Sequence, residues 1–413
     1  MSASRSLAEW LSYIERQHPQ PIALGLERIA EVFNKLEIGI GCPVFTVGGT
    51  NGKGSTCAML EAILRAGGYR TGLYTSPHLL RYNERVRIGA HEADDAALCE
   101  AFAAVERARG AVPLTYFEFA TLAAFHLFSR SSLDVAILEV GLGGRLDAVN
   151  AVDADCAILT SVGIDHVEYL GGTREEIGRE KAGIFRPGRP AIVADPDPPA
   201  SVTASNAKLQ LLGKDFGYLA QGTQWTYWGP AGKRHGLAHP ALRGAIQLRN
   251  ASAALAALDS LRGRLPLAMQ DVRRGLAEAS LPGRFQVLPG RPQVILDVAH
   301  NPEAAAVLAA NLGDSGFAPE TIAVVGMLKD KDIAGVLRAV APRVTKWHLA
   351  TLPGPRGAQA AYLNNVLKKE KITIEAKEHP TVALALAAAR KEAGENDKIV
   401  VFGSFLTVAD AYG

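Results

Sequence analysis

Residues Pro43 to Leu64, PVFTVGGTNGKGSTCAMLEAIL, constrain the fold more than any other stretch of the chain. The apolar, β-branched run Val44 to Val47 reads as a buried strand. A tight turn carrying Gly48, Gly49, Gly52 and Gly54 follows. Met59, Leu60, Ile63 and Leu64 then recur at a helical period that lays one face on a sheet. Consecutive N–H groups in such a turn, together with the positive end of the helix, make a cradle for anions. Lys53 can reach the outer phosphates of a nucleotide, and Ser55 or Thr56 can offer a hydroxyl to Mg²⁺. The usual phosphate loop has Gly at the place of Val47 and a hydroxyl residue at the place of Gly54. The loop here, GTNGKGS, is therefore a variant. A glycine-rich turn that binds nothing is the competing reading. The order of strand, glycines, Lys, hydroxyls and helix favours the phosphate loop.

The rest of the chain has room for two or three domains in its 413 residues. It is 48% hydrophobic and 21% charged, as expected of a soluble globular protein with ample core. A net charge of +2, from 44 basic and 42 acidic residues, gives no electrostatic case for nucleic acid or an anionic membrane. Cys42, Cys57, Cys99 and Cys156 have neither C-x-x-C nor zinc spacing and read as reduced thiols. The N-terminus is an amphipathic helix with internal charges rather than a signal peptide, and no run of 18 apolar residues occurs. The expected location is the cytoplasm.

Helices are expected over 6–16 and 22–36, separated by Pro19 and Pro21, and again over 93–108 and 117–130. Strands are expected at 70–75, 134–141, 154–162 and 189–195. Three of these end in polar groups: Ser76-Pro77-His78, Glu139 followed by GLGGRLD, and Gly163-Ile164-Asp165-His166. In open α/β sheets, ligands bind at the carboxyl ends of the strands. Ser76, Glu139 and His166 thus converge on a metal–phosphate site if their strands lie parallel beside the loop. Lys181 closes the next helix and reads by composition as a surface lysine. A small β-rich insert is expected over about 215–247, and helices return at 250–262 and 269–279.

Leu281-Pro282-Gly283-Arg284-Phe285 looks like a domain hinge. Beyond it, strands near 293–298, 321–327, 346–351, 372–376 and 398–403 alternate with helices near 302–313, 332–341, 358–369 and 381–394. That pattern is a five-stranded, doubly wound α/β domain. Its strand ends carry Asp297, His300 and Asn301, then GMLKDKD, then Gly403-Ser404. No dinucleotide fingerprint is present. Two α/β domains, one with a phosphate loop, suit an enzyme that brings two substrates to the γ-phosphate of ATP. Activation of a carboxylate as an acyl phosphate, followed by attack of an amine, fits this plan.

Several motifs together give the chain a resemblance to the bifunctional dihydrofolate synthase/folylpolyglutamate synthase family of the Mur ligase superfamily. They are LGLERI (24–29), TVGGTNGKGST (46–56), YTSPHLLRYNERVRI (74–88), LTYFEF (114–119), LEVGLGGRLDAVN (138–150), TSVGIDH (160–166), EKAGIF (180–185), LPGRFQ (281–286), DVAHNP (297–302) and GMLKDKD (326–332). The resemblance implies an α/β protein with an N-terminal P-loop ATPase-type domain of the Mur ligase kind, residues 1–284, and a smaller Rossmann-like C-terminal domain, residues 285–413.

It also implies an ATP- and Mg²⁺-dependent, monomeric ligase that joins L-glutamate to dihydropteroate and extends tetrahydrofolate forms with γ-linked glutamates. Gly52, Lys53, Gly54, Ser55, Asn250, Arg284 and Asp297 would bind ATP, which would lie between the domains. Ser55, Ser76, Glu139 and His166 would hold metal. Leu26, Glu27, Arg28, Thr115, Phe117, Leu146 and Asp147 would line the pterin pocket. Lys53, Lys181 and His300 would serve catalysis, with Lys181 carbamylated by CO₂. Ser404 and the second domain's strand ends are candidates for gripping glutamate. A monofunctional folylpolyglutamate synthase, a UDP-muramyl ligase and a non-enzymatic ATP switch are the alternatives. The LTYFEF and GGRLD segments favour the bifunctional type.

Overall fold

The computed structural model describes residues 5–20 and 22–412. Pro21, expected to separate the first two helices, lies outside them. The chain divides into two compact units. Residues up to Ala241 together with Leu248–Ser280 form the first, and Leu242–Gln247 with the chain from Leu281 onward form the second.

The first unit is built on eight strands: β1 (Val44–Gly48), β2 (Thr71–Tyr74), β3 (Val86–Ile88), β4 (His91–Glu92), β5 (Val135–Glu139), β6 (Cys156–Leu159), β7 (Pro190–Val193) and β8 (Lys208–Leu211). Their order across the sheet is β4-β3-β2-β5-β1-β6-β7-β8. The six strands from β2 to β8 in that order run parallel, and β3 and β4 turn back antiparallel at one edge. β1, β5 and β6 are buried along their length, as a parallel strand covered on both faces must be. The register places Val47 beside Glu139 and Gly48 beside Leu159, so the phosphate loop leaves the sheet between the ends of β5 and β6.

The aromatic run 116–128 packs inward on the helix Tyr116–Ser129, with Phe119 and Phe125 fully buried in the same core as Trp10, Phe102 and Tyr82. Thr115 caps that helix in a reciprocal capping box with Glu118. The first helix spans Leu7–Ile14, capped by Ser6. The second covers only Glu27–Lys35, because Gly25 adopts φ 149° and residues 22–25 stay non-helical. The aromatic and glycine-rich region forms a three-stranded antiparallel sheet, β9 (Gly217–Gln221), β10 (Gln224–Gly229) and β11 (Gly232–Ala238).

The second unit has six strands rather than five. β12 (Gln286–Leu288) adds to β13 (Gln293–Leu296) in antiparallel fashion, followed across the sheet by β17 (Lys398–Phe402), β14 (Thr321–Val325), β15 (Lys346–Ala350) and β16 (Ala376–His379), all parallel. β12 is only three residues long and carries no alternation to read. The edge strand lies at 376–379, not 372–376. Ile372 and Ile374 supply the apolar signal, but they pack on the core as an irregular lead-in. Three of the four paired residues, Lys377, Glu378 and His379, are polar, as suits an edge.

Candidate active site

The phosphate loop is held from one side by the segment after β6. Thr50 N–H donates to Ser161 O at 2.9 Å, and Asn51 N–H donates to Ser161 Oγ at 3.0 Å. The Thr160 hydroxyl sits between the carbonyls of Gly48 and Asn51, at 3.1 and 2.7 Å. The Thr50 hydroxyl donates to Gly163 O at 3.1 Å and accepts from Gly163 N–H at 2.9 Å. Gly52 adopts φ 89° as the N-cap of the helix Lys53–Ala66. A Cβ there would come within 2.7 Å of Asn250 Oδ1, so Asn250 lies against the loop. Gly54 is buried in the first turn of that helix, where the extra glycine lets the loop run directly into helical backbone.

Lys53 folds back over the loop, its Nζ donating to the carbonyls of Gly49 at 2.9 Å and Thr50 at 3.2 Å. Thr56 commits its hydroxyl to Gly52 O at 3.0 Å. Ser55 is buried beside it in the first turn of the same helix.

Ser76 and Glu139 meet. Ser76 N–H donates to Glu139 Oε2 at 3.1 Å, and Glu139 is buried at the end of β5. Nearby His78 accepts from Arg85 Nε at 2.9 Å, and burial, then the Arg85 charge, pull its pKa down to about 4. It is a neutral acceptor at physiological pH.

His166 follows β6 in left-handed backbone, φ 53°, as the cap of the short helix Val167–Leu170. Lys181 corrects the composition-based reading of a surface lysine: it is 4% exposed. The segment after β5 presses against its helix end. A Cβ on Gly144 would lie 2.8 and 2.9 Å from the carbonyls of Glu180 and Lys181, and Arg145 N–H donates to Glu180 O at 2.8 Å. Ile184, just beyond, touches Gly48 at the end of β1.

A second group of expected residues assembles beside the first. Arg28 pairs with buried Glu118 at 3.0 Å, donates Nη2 to Ala23 O at 2.6 Å, and so links the Leu26–Glu27 turn to the Thr115 cap. The Phe117 ring lies over Gly141, where a Cβ would meet its Cζ at 2.5 Å. Asp147 is buried and accepts N–H groups from Leu142 at 2.8 Å and Val149 at 3.0 Å. Burial pushes its carboxyl up to about 7 against those bonds. Leu146 is half-buried in the turn before it.

In the second unit, Arg284 lies 5.2 Å from the Phe405 ring centroid, and His300 packs near the same ring while its Nδ1 bonds Val298 O at 2.8 Å. Asp297 accepts from Phe285 N–H at 2.9 Å and Ala299 N–H at 2.8 Å. Burial raises its carboxyl and the Arg284 charge opposes the rise. Ser404 is buried and spends its hydroxyl capping Thr407 N–H, at 3.0 Å.

Two residues escaped the sequence reading. Asp195 follows β7, and Arg174 opens the helix Arg174–Ala182. An acid just past a fourth buried strand was the available signal for the first. Nothing in the sequence joined it to Arg174, 21 positions upstream.

Among the described residues, no three His, Cys, Asp or Glu side chains form a cation cage. Ser55, Ser76, Glu139 and His166 would instead suit Mg²⁺, which is held by few protein ligands when phosphates and waters complete its shell.

Two domain families match the chain: the Mur ligase middle domain over residues 47–258 and the Mur ligase glutamate ligase domain over 283–405. The Escherichia coli (strain K12) dihydrofolate synthase/folylpolyglutamate synthase is 46% identical over 412 residues, spanning 98% of this chain and 95% of that protein. The chain belongs to the dihydrofolate synthase/folylpolyglutamate synthase family. It is an ATP-dependent ligase of that kind, acting in folate synthesis and polyglutamylation by glutamate addition. A solved structure of E. coli FolC with DHPP and ADP superimposes with a TM-score of 0.95 at 45% identity, covering 100% of this chain and 98% of that one. A bifunctional folylpolyglutamate synthase/dihydrofolate synthase solved with Mn, AMPPNP and L-glutamate gives 0.91 at 46% identity, covering 99% and 98%.

Proposed function

We propose that the ligase works through an acyl phosphate, with the residue roles that follow. The observation that carries this reading is the convergence of the Lys53 loop, the Ser76–Glu139 pair and the His166 segment at neighbouring strand ends. The loop N–H groups and Lys53 bind the phosphates of ATP, and Asn250 flanks them. Mg²⁺ on Ser55, Ser76, Glu139 and His166 would neutralise phosphate charge as it develops. The stacking face of Phe117 and the buried Asp147 acceptor take the pterin ring. Arg28 and Thr115 fix the wall beside it. Arg284 and Asp297 take the nucleotide-binding roles that the family resemblance implies, and His300 the catalytic one.

A carboxylate oxygen of dihydropteroate attacks the γ-phosphorus, and ADP leaves. The amine of glutamate then attacks the acyl carbon, loses a proton, and expels phosphate carrying the former carboxylate oxygen. A tetrahydrofolate with its glutamate tail takes the same course at the γ-carboxylate. Lys181, buried at its helix end, reacts as the neutral amine: Nζ bonds the carbon of CO₂, one N–H proton is released to solvent, and the side chain becomes a carbamate anion.

Among the described residues no helix is long and apolar enough to cross a membrane. The four free cysteines suit the reducing cytoplasm, and the monomeric state is taken over from the family resemblance.

Dihydropteroate labelled with ¹⁸O in its carboxylate tests the route. The label appears in the released phosphate if the acyl phosphate forms. Phosphate free of label would rule it out.

A further inference from the structure

We propose that Arg174 and Asp195 are positioning residues: a charged clamp that sets where His166 stands, and so tunes metal affinity at the phosphate site. The proposal rests on the reading of His166 as a metal ligand.

The clamp grips one residue by both of its main-chain polar groups. Asp195 is 4% exposed, and its Oδ2 accepts Val162 N–H at 2.6 Å. Arg174 Nε donates to Val162 O at 2.9 Å. The two side chains close on each other at 3.1 Å, and Asp195 Oδ1 also accepts Asp197 N–H at 2.9 Å. The next residue, Gly163, is gripped in the same two-sided way by the Thr50 hydroxyl of the phosphate loop. Two successive residues are therefore fixed, one to the loop and one to the clamp. His166 stands three positions further on, in left-handed backbone.

Arg174 is also the first residue of the helix whose last turn carries Lys181. One guanidinium thus connects the His166 segment to the start of the Lys181 helix.

A purely structural role predicts a different pattern. Exposed ion pairs contribute little to stability, and the Arg174 contact with Asp197, which is 90% exposed, is of that kind. The Asp195 bonds instead run to the main chain of an irregular segment, where they fix direction rather than fill the core. Groups that orient a metal ligand from outside the coordination shell change affinity by roughly 10- to 100-fold when removed.

The test uses full-length Asp195→Asn and Arg174→Gln proteins, with His166→Ala as reference. Mn²⁺ is titrated by electron paramagnetic resonance in the presence of AMPPNP. Both clamp variants should bind Mn²⁺ about tenfold more weakly. Their nucleotide affinity in EDTA and KM for dihydropteroate should stay near those of the parent, while the melting temperature falls by only a few degrees. Arg174→Lys, which can keep one of the bonds, should recover part of the affinity. Clamp variants that bind Mn²⁺ normally while His166→Ala does not would overturn the clamp alone. Variants that lose metal, nucleotide and pterin binding together with a large drop in melting temperature would show a structural role and also overturn it. Normal Mn²⁺ binding by His166→Ala would remove the metal reading of His166, and the clamp with it.

Discussion

Gly49 passes so close to Thr160 that a Cβ added to it would stand 1.9 Å from the Thr160 hydroxyl oxygen and 3.0 Å from Ser161 N. Gly49 also adopts φ 144°, outside the range of ordinary side chains. Gly49→Ala must therefore push the phosphate loop off the segment that holds it. The expected cost is about 1–3 kcal/mol of stability, with loss of nucleotide binding in a fluorescent-ATP titration. Gly39→Ala, where a Cβ meets nothing within 4 Å, is the matched control and should bind normally.

Asp147 predicts a pH dependence confined to the pterin. Its carboxyl is pushed up to about 7 by burial, and as an anion it accepts N–H donors. A pterin ring offers such donors, so binding favours the ionised form. The KM for dihydropteroate should fall as pH rises through about 7, while the KM for ATP stays level. In Asp147→Asn the pterin profile should be flat. The same shift has a stability sign. The folded chain holds this proton up to about 7, whereas an unperturbed Asp releases it near 3.8. Stability is therefore highest below that lower value and declines as pH rises to about 7.

Glu118 joins two expected pterin residues, since it caps Thr115 N–H at 2.8 Å and pairs with Arg28 at 3.0 Å. Glu118→Ala removes a capping-box partner and a buried carboxylate together. A loss of about 2 kcal/mol in urea unfolding is expected. Steady-state kinetics should show a raised KM for dihydropteroate and an unchanged KM for ATP. Equal effects on both would detach Glu118 from the pterin side.

Lys181 carries the prediction about CO₂. Protein equilibrated with ¹³C-bicarbonate should show a carbamate resonance by NMR that is absent from Lys181→Ala. Activity lost in that variant should return in part with formate or acetate, which place a carboxylate where the carbamate stood. A parent enzyme without the resonance, together with a variant that no acid rescues, would contradict the assignment.

The fold was legible wherever burial imposes a period. Val44–Gly48, Val135–Glu139 and Cys156–Leu159 are continuous apolar runs because helices cover both sheet faces, and each announces itself. The three-residue β12 and the polar edge strand Ala376–His379 carry no such pattern, and the apolar Ile372 and Ile374 drew attention to the wrong residues. At the candidate site, the strand ends pointed to Ser76, Glu139 and His166. Lys181 looked like surface because its helix is charged on most faces, whereas the segment at Gly144 and Arg145 covers the helix end and buries it. Arg174 and Asp195 act through contacts 12 to 33 positions distant in sequence, and Glu118 reaches Arg28 across 90, which no local pattern encodes; only the capping box of Glu118 with Thr115 is local.

Both ligase activities are measured together by ADP release from the purified enzyme, with dihydropteroate and tetrahydrofolate each crossed against the presence and absence of L-glutamate. Turnover is expected with either pterin substrate only when glutamate is present, and both activities should be lost in Lys53→Ala. Turnover with a UDP-muramyl substrate in place of the pterins, or undiminished turnover in Lys53→Ala, would contradict that expectation.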